Sequence, residues 1–505
     1  MKKTNIINTS IGMVRGYNDG DLEVFKGIPY AERPIGELRF KPPAPRKKWF
    51  GVFDALDYSP ICVQTTPPGI IFPPIPQSEA DSLTLNIWTH GTDNNKRPVM
   101  VRIHGGGFTI GSGRISNGFE LARRGDVVVV TINYRLGALG FSEIQGIESN
   151  IGILDQIEAL KWIQKNIELF GGDPNCITIF GISAGGMSVS TLMAIPVAKG
   201  LFNRVIAQSG ALNPFSFQNK EGVGRTSRLL EVLKINKGDV ESLKKVTASE
   251  LLKANQSIAN EVWSAHIPWI LSIPPYIDGN TIPEHPLELI KKGDASDIDL
   301  MVGCTLNESI LWQIIIPTSE KLDMEQVKQR IIKVIKLLGH DEKKGLEMFE
   351  IYKDAGDPGA ILGAFSTDLE FRISAIRLAE EQSVHNPKTY MYLFTYPLKF
   401  QGKEVGAIHG GDGGFMFGTL DYPNIVGQID NSEEAKVLSE KMMDSWIAFA
   451  KTGNPNHGGI EEWSKYEKNS RKTMILGKET TSEDKPMEKQ RIAWNDIMKI
   501  YNIKN

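Results

Sequence analysis

Short runs rich in valine, isoleucine and leucine recur along the chain, at intervals too long for hairpins. LTLNIW (83–88), PVMVRIH (98–104), VVVVTINY (127–134), CITIFG (176–181), RVIAQSG (204–210), DLMVGCT (299–305) and TYMYLFTY (389–396) form the series. These runs are nearly continuous rather than alternating, which predicts strands covered on both faces. The segments between them carry apolar residues at helical spacing. LDQIEALKWIQKNIELFGG (154–172) is the clearest, and it stops on Gly-Gly. Buried strands alternating with helices predict an α/β fold with a large, mostly parallel central sheet flanked by helices. GMVRGYN (12–18) and DLEVFKGIPYA (21–31) read as a small antiparallel lead-in, and the proline-rich 65–77 as a stiff surface loop. No internal repeat or domain linker interrupts the pattern. The expectation is therefore a single domain over 1–505, with helical insertions around 211–298 and 318–388.

Charge and composition narrow the partners. With 57 basic and 60 acidic residues, a net charge of −3 and no long basic run, the chain is not expected to bind nucleic acid. No stretch approaches the ~18 apolar residues of a membrane span. The N-terminal MKKTNIINTSIGMV has two lysines without an apolar run behind them, so no secretory leader is expected. Three scattered cysteines, Cys62, Cys176 and Cys304, do not make a disulfide framework, and a reducing, cytoplasmic compartment fits. Histidines and carboxylates show no metal-ligand spacing, so neither metal nor cofactor is expected. The expected partner is a small-molecule substrate.

One stretch stands out against this background. FGISAGG (180–186) closes a buried strand and opens a helix-like segment, GMSVSTLMA. Gly181-Ile182-Ser183-Ala184-Gly185 fits G-x-S-x-G, in which small neighbours allow a sharp turn that exposes the serine hydroxyl at the carboxyl end of a sheet. A glycine-rich turn with an incidental serine would read the same. A serine nucleophile needs a base, and an ester needs donors for its oxyanion. HGGGF (104–108) follows the strand 98–104, and its glycines let backbone N–H groups converge on a ligand. A phosphate-binding nest has similar glycines, but the G-K-[ST] ending of a P-loop is missing. Of eight histidines, His409, in the loop GAIHGGDGG after the strand 389–396, stands where the order serine, acid, histidine requires the base. Glu308, just after the strand 299–305, stands where the acid should be, although an acid opening a helix would look the same.

Taken together, these motifs resemble the type-B carboxylesterases, which include the bacterial para-nitrobenzyl esterases and the cholinesterases. FKGIPYAERPIGELRFKPP (25–43), DSLTLNIW, VRIHGGGF, VVVVTINYRLGALGF, FGISAGG, GCTLNES, IHGGDGGFMFG and SWIAFAKTGNPN follow the order and spacing of that family over nearly the whole chain. The resemblance implies an α/β-hydrolase fold and a serine carboxylesterase acting on small to medium esters through an acyl-enzyme. Ser183 is similar to the nucleophile, Glu308 to the acid and His409 to the base, and the N–H groups of Gly106, Gly107 and Ala184 match the oxyanion hole. Phe108, Trp312 and Phe371, with Trp263 and Trp269, are candidates for contact with substrate, each equally able to be core.

This chain also departs from the family. Ile182 stands where a glutamate usually precedes the nucleophile, and Asp412 where a glutamate follows the histidine. Glu79-Ala80-Asp81-Ser82 stands in place of S-E-D-C, which removes the partner of Cys62 and implies that Arg39 lacks its usual glutamate. No tryptophan lies between Thr65 and Gln77, so a choline cage is not expected. A lipase or amidase on the same site is the near alternative. A non-catalytic binding homologue is the remote one, since such proteins typically lose the serine.

Overall fold

The computed structural model describes residues 2–65, 75–214, 217, 224–264, 271, 273–315, 322–422 and 430–497; Trp269, most of 65–77 and the side chain of Trp263 lie outside the described residues. The largest sheet has eleven strands. Its middle is parallel, with Val128–Ile132, Arg97–Ile103, Gly172–Ile182, Arg204–Gln208, Asp299–Thr305, Thr389–Phe394 and Thr473–Leu476 side by side in that order. Antiparallel strands finish both edges. Thr84–Thr89, Leu22–Pro29 and Tyr17–Asp19 lie on one side and Thr480–Glu483 on the other. All seven expected strands are present; Thr473–Leu476 and the edge strand Thr480–Glu483 join them without having been expected.

Continuous apolar strands have a direct structural reason here, because successive residues feed two different cores. Val99, Val101, Ile103, Ile177, Ile179, Val205, Leu300 and Val302 join one cluster. Met100, Phe180, Ile206, Met301, Tyr390 and Tyr392 join the other. The helix Glu433–Thr452 covers the second face, and Ile151–Asn166 the first. The first insertion holds the helices Gly224–Leu233, Val240–Lys245, Ala248–Ser264 and Pro286–Lys291. The second holds Met324–Leu337, Glu342–Tyr352, Pro358–Thr367 and Ile373–His385. Asp323, Asp341 and Asp357 begin three of these, each accepting a backbone N–H of the first turn at 2.8–2.9 Å. No helix among the described residues is long and apolar enough to cross a membrane.

Strand order fixes where a site can form. Arg97–Ile103 lies between Val128–Ile132 and Gly172–Ile182, so the chain leaves it in opposite directions. Such a reversal opens a crevice at the carboxyl ends of parallel strands. His104-Gly105-Gly106 and Ser183 emerge from the two strands at that point.

Candidate active site

Ser183 has φ 61° and ψ −130° and caps the helix Ala184–Leu192. A non-glycine residue held there costs roughly 1–3 kcal/mol, which the surroundings must supply. They do so with the Ser183 N–H donating to the Gln208 carbonyl and the Met187 N–H donating to the Ser183 carbonyl, both at 2.9 Å. The small neighbours are explained by close approach. A methyl group at Gly185 would sit 2.2 Å from the Ile103 carbonyl oxygen, and one at Gly105 would sit 2.4 Å from that of Ile182. The serine turn and the glycine loop therefore interlock backbone to backbone. Gly106 and Gly107 take positive φ, 110° and 60°. Among the described residues, the N–H groups of Gly106, Gly107 and Ala184 have no hydrogen-bond partner.

Glu308 and His409 are brought together from loops after two neighbouring strands. Asn307 stitches the loops: its N–H donates to the Ala407 carbonyl at 2.9 Å, and its side-chain oxygen accepts the Ala407 N–H at 3.0 Å. Fully buried Glu308 accepts the Thr305 N–H at 2.7 Å on Oε1 and bonds His409 Nδ1 at 2.5 Å through Oε2. That bond fixes the ring and leaves Nε2 buried, without a partner among the described residues. Trp312 and Phe371 flank the imidazole, with centroids 5.4 and 4.8 Å from it. Phe108 is not brought to the histidine. Its fully buried ring packs on Phe141 at 4.8 Å, so it is core rather than an exposed wall. Three other histidines are engaged elsewhere: His104 stacks on Tyr134, and burial pushes it down to about 4. His385 and His457 bond backbone carbonyls of Lys291 and Lys441.

The carboxylesterase family matches residues 3–494. The chain belongs to that family. The para-nitrobenzyl esterase of Bacillus subtilis (strain 168) is 36% identical over 493 residues, covering 96% of this chain and 97% of that protein. The phenmedipham hydrolase of Pseudarthrobacter oxydans is 34% identical, covering 94% and 95%. A solved thermophilic PNB esterase superposes with a TM-score of 0.86 at 36% identity, covering 97% of this chain and 99% of that one. The fold is the α/β-hydrolase fold, and the protein is a carboxylic ester hydrolase.

The carboxylesterase departs from its relatives less at Arg39 than the motif alone implies. Glu79 supplies the missing carboxylate, accepting from Arg39 Nε at 2.8 Å and Nη2 at 2.7 Å. The turn explains the one-residue displacement: Ser78 Oγ accepts the N–H groups of Ala80 and Asp81, curling the loop so that Glu79 faces the guanidinium. Arg39 also donates to the carbonyls of Lys244 and Val246, and so ties the first insertion to the N-terminal part of the chain. Cys62 is buried and free.

Ile182 does face the histidine loop. A methyl group at Gly413 would lie 3.1 Å from Ile182 Cδ1. Next to it, fully buried Asp412 accepts from Gln208 Nε2 and Tyr392 Oη, both at 2.9 Å. Burial holds this carboxyl above the usual range, against the pull of the Gln208 bond. A carboxylate beside an imidazole favours the imidazolium. Ile182→Glu is therefore expected to move the acid limb of kcat/KM to higher pH, by about half a unit or more. Superimposable limbs in a folded variant would contradict that placement.

Proposed function

We propose that Ser183, His409 and Glu308 act as nucleophile, general base and orienting acid, with Gly106, Gly107 and Ala184 as the oxyanion hole. The observation that carries this reading is the unpaired Nε2 of His409, buried while Glu308 occupies Nδ1, on a loop that Gln208 joins to the turn of a serine held at strained φ. His409 takes the Ser183 proton as Oγ attacks the ester carbonyl. The N–H donors stabilise the tetrahedral oxyanion, and the imidazolium then protonates the departing alcohol. Water, activated by the same imidazole, releases the acid from the acyl-enzyme. The aromatic walls Trp312 and Phe371 support esters of small to medium size, including aryl-bearing ones such as those named for the para-nitrobenzyl esterases. A cytoplasmic setting belongs to this reading, supported by three free thiols, two of them buried. A fluorophosphonate probe should modify one serine per chain, Ser183, and abolish hydrolysis of para-nitrophenyl butyrate in proportion. Activity surviving full labelling, or label on another serine, would refute the assignment.

A further inference from the structure

A second carboxyl group stands behind the aromatic wall, and the mechanism does not use it. Residues Asp368–Arg372 form a π-helical turn between Pro358–Thr367 and Ile373–His385. The extra residue in such a turn rotates the side chains that follow, and π turns recur at functional sites. Here Phe371 is laid against His409, while Glu370, 7% exposed, is turned inward. Ser309, the residue after Glu308, donates to Glu370 Oε1 at 3.4 Å. The Trp312 indole N–H lies beside the carboxyl without completing hydrogen-bond geometry. Asn213 fixes the backbone from the opposite side, donating to the carbonyls of Leu369 and Glu370 at 2.9 Å. Among the described residues no cation pairs with Glu370. Arg372, on the same turn, is closed on Asp368 at 2.5 Å. The charged group that faces Glu370 is Glu308; Ser309, Trp312 and Asn213 are neutral.

We propose that Glu370 determines whether this site discriminates between cationic and neutral esters. The inference rests on the Ser183 reading of the site. Burial pushes the carboxyl up to about 8, against the pull of the nearby Trp312 N–H and the Ser309 hydroxyl, and the charge of Glu308 adds to the rise. Near neutral pH the wall beside His409 is therefore uncharged. As the pH passes through about 8, it gains a negative charge one residue from Phe371 and one indole from the imidazole. A fixed positive charge on the substrate is then attracted and an uncharged isostere is not. At a separation of ~8–10 Å and an effective dielectric of about 20–40, the preference changes about four- to thirtyfold. A site that ignores the charge of an ester at neutral pH would select for it in the alkaline range.

The test is a ratio, so effects common to both substrates, on the nucleophile, the base or the fold, cancel. Butyrylthiocholine and its uncharged isostere S-(3,3-dimethylbutyl) thiobutyrate are assayed from pH 6.5 to 9.5, with spontaneous hydrolysis subtracted. In the wild-type enzyme the cationic-to-neutral ratio of kcat/KM should rise severalfold through pH 8, and in Glu370→Gln it should stay level. An equal rise in both proteins would overturn the proposal. A level wild-type ratio, which requires no variant to fold, would also overturn it while leaving the Ser183 reading intact. Turnover of neither ester by a wild type that hydrolyses para-nitrophenyl butyrate would also overturn it and leave the Ser183 reading intact, whereas loss of para-nitrophenyl butyrate turnover as well would overturn both.

Discussion

Ser183→Ala is expected to lower the turnover of para-nitrophenyl butyrate by about 10⁴–10⁶-fold, with little change in KM. Nothing near the turn offers a substitute. The backbone strain at residue 183 aims one hydroxyl into the crevice, and the glycine loop leaves no room for a neighbouring side chain to take its place. The residual rate would come from the N–H donors of Gly106, Gly107 and Ala184, which the substitution leaves in position. The folded state should not suffer, since alanine tolerates no less strain than serine and the buried backbone bond to Gln208 is kept. More than a few per cent of wild-type activity, with contaminating esterase excluded by mass spectrometry, would remove Ser183 from the mechanism.

His409→Ala should lose a comparable factor, on the order of 10⁴–10⁶. The informative experiment is the double variant. If serine and histidine act as one unit, Ser183→Ala/His409→Ala falls little below either single variant, because a hydroxyl without its base is already nearly inert. Independent contributions would instead multiply. His385→Ala and His457→Ala serve as controls and should remain near wild type, as their rings are occupied with distant carbonyls. A multiplicative double variant, or a single variant keeping more than about a hundredth of the rate, would separate the two residues.

Much of this architecture could be read before any coordinates, and the reason is physical. A central parallel strand has no solvent face, so Val128–Ile132 and Asp299–Thr305 appear as uninterrupted apolar runs, and the loops at their ends are punctuated by glycine. Motifs confined to such loops, at 104–108 and 180–186, are legible for the same reason. Thr480–Glu483, Thr-Thr-Ser-Glu, lies on an edge, has no buried residue and carries no such signature. The motif implies no glutamate for Arg39 because a motif fixes positions, whereas the turn at Ser78 decides which carboxylate swings inward. Glu370 went unremarked because helical periodicity assumes a constant pitch. The π turn breaks that pitch and buries Asp368, Glu370 and Arg372 together. Phe108 sits in a motif that meets the substrate crevice, but its positive φ of 61° sends the ring back into the core.

Gln208 has a consequence beyond its place in a strand. Its carbonyl holds the Ser183 N–H, its amide nitrogen holds Asp412 in the histidine loop, and its amide oxygen accepts from Trp446 of the long covering helix at 3.4 Å. Active sites usually belong to the softer parts of an enzyme, which open while the rest stays closed. In this carboxylesterase the serine turn and the histidine loop hang from one residue of a buried central strand. Warming has few local ways to pull them apart short of disturbing the order of the sheet. The walls around Trp312 and Phe371 do not hang from Gln208, so heat would blur which ester is accepted before it stops ester cleavage itself.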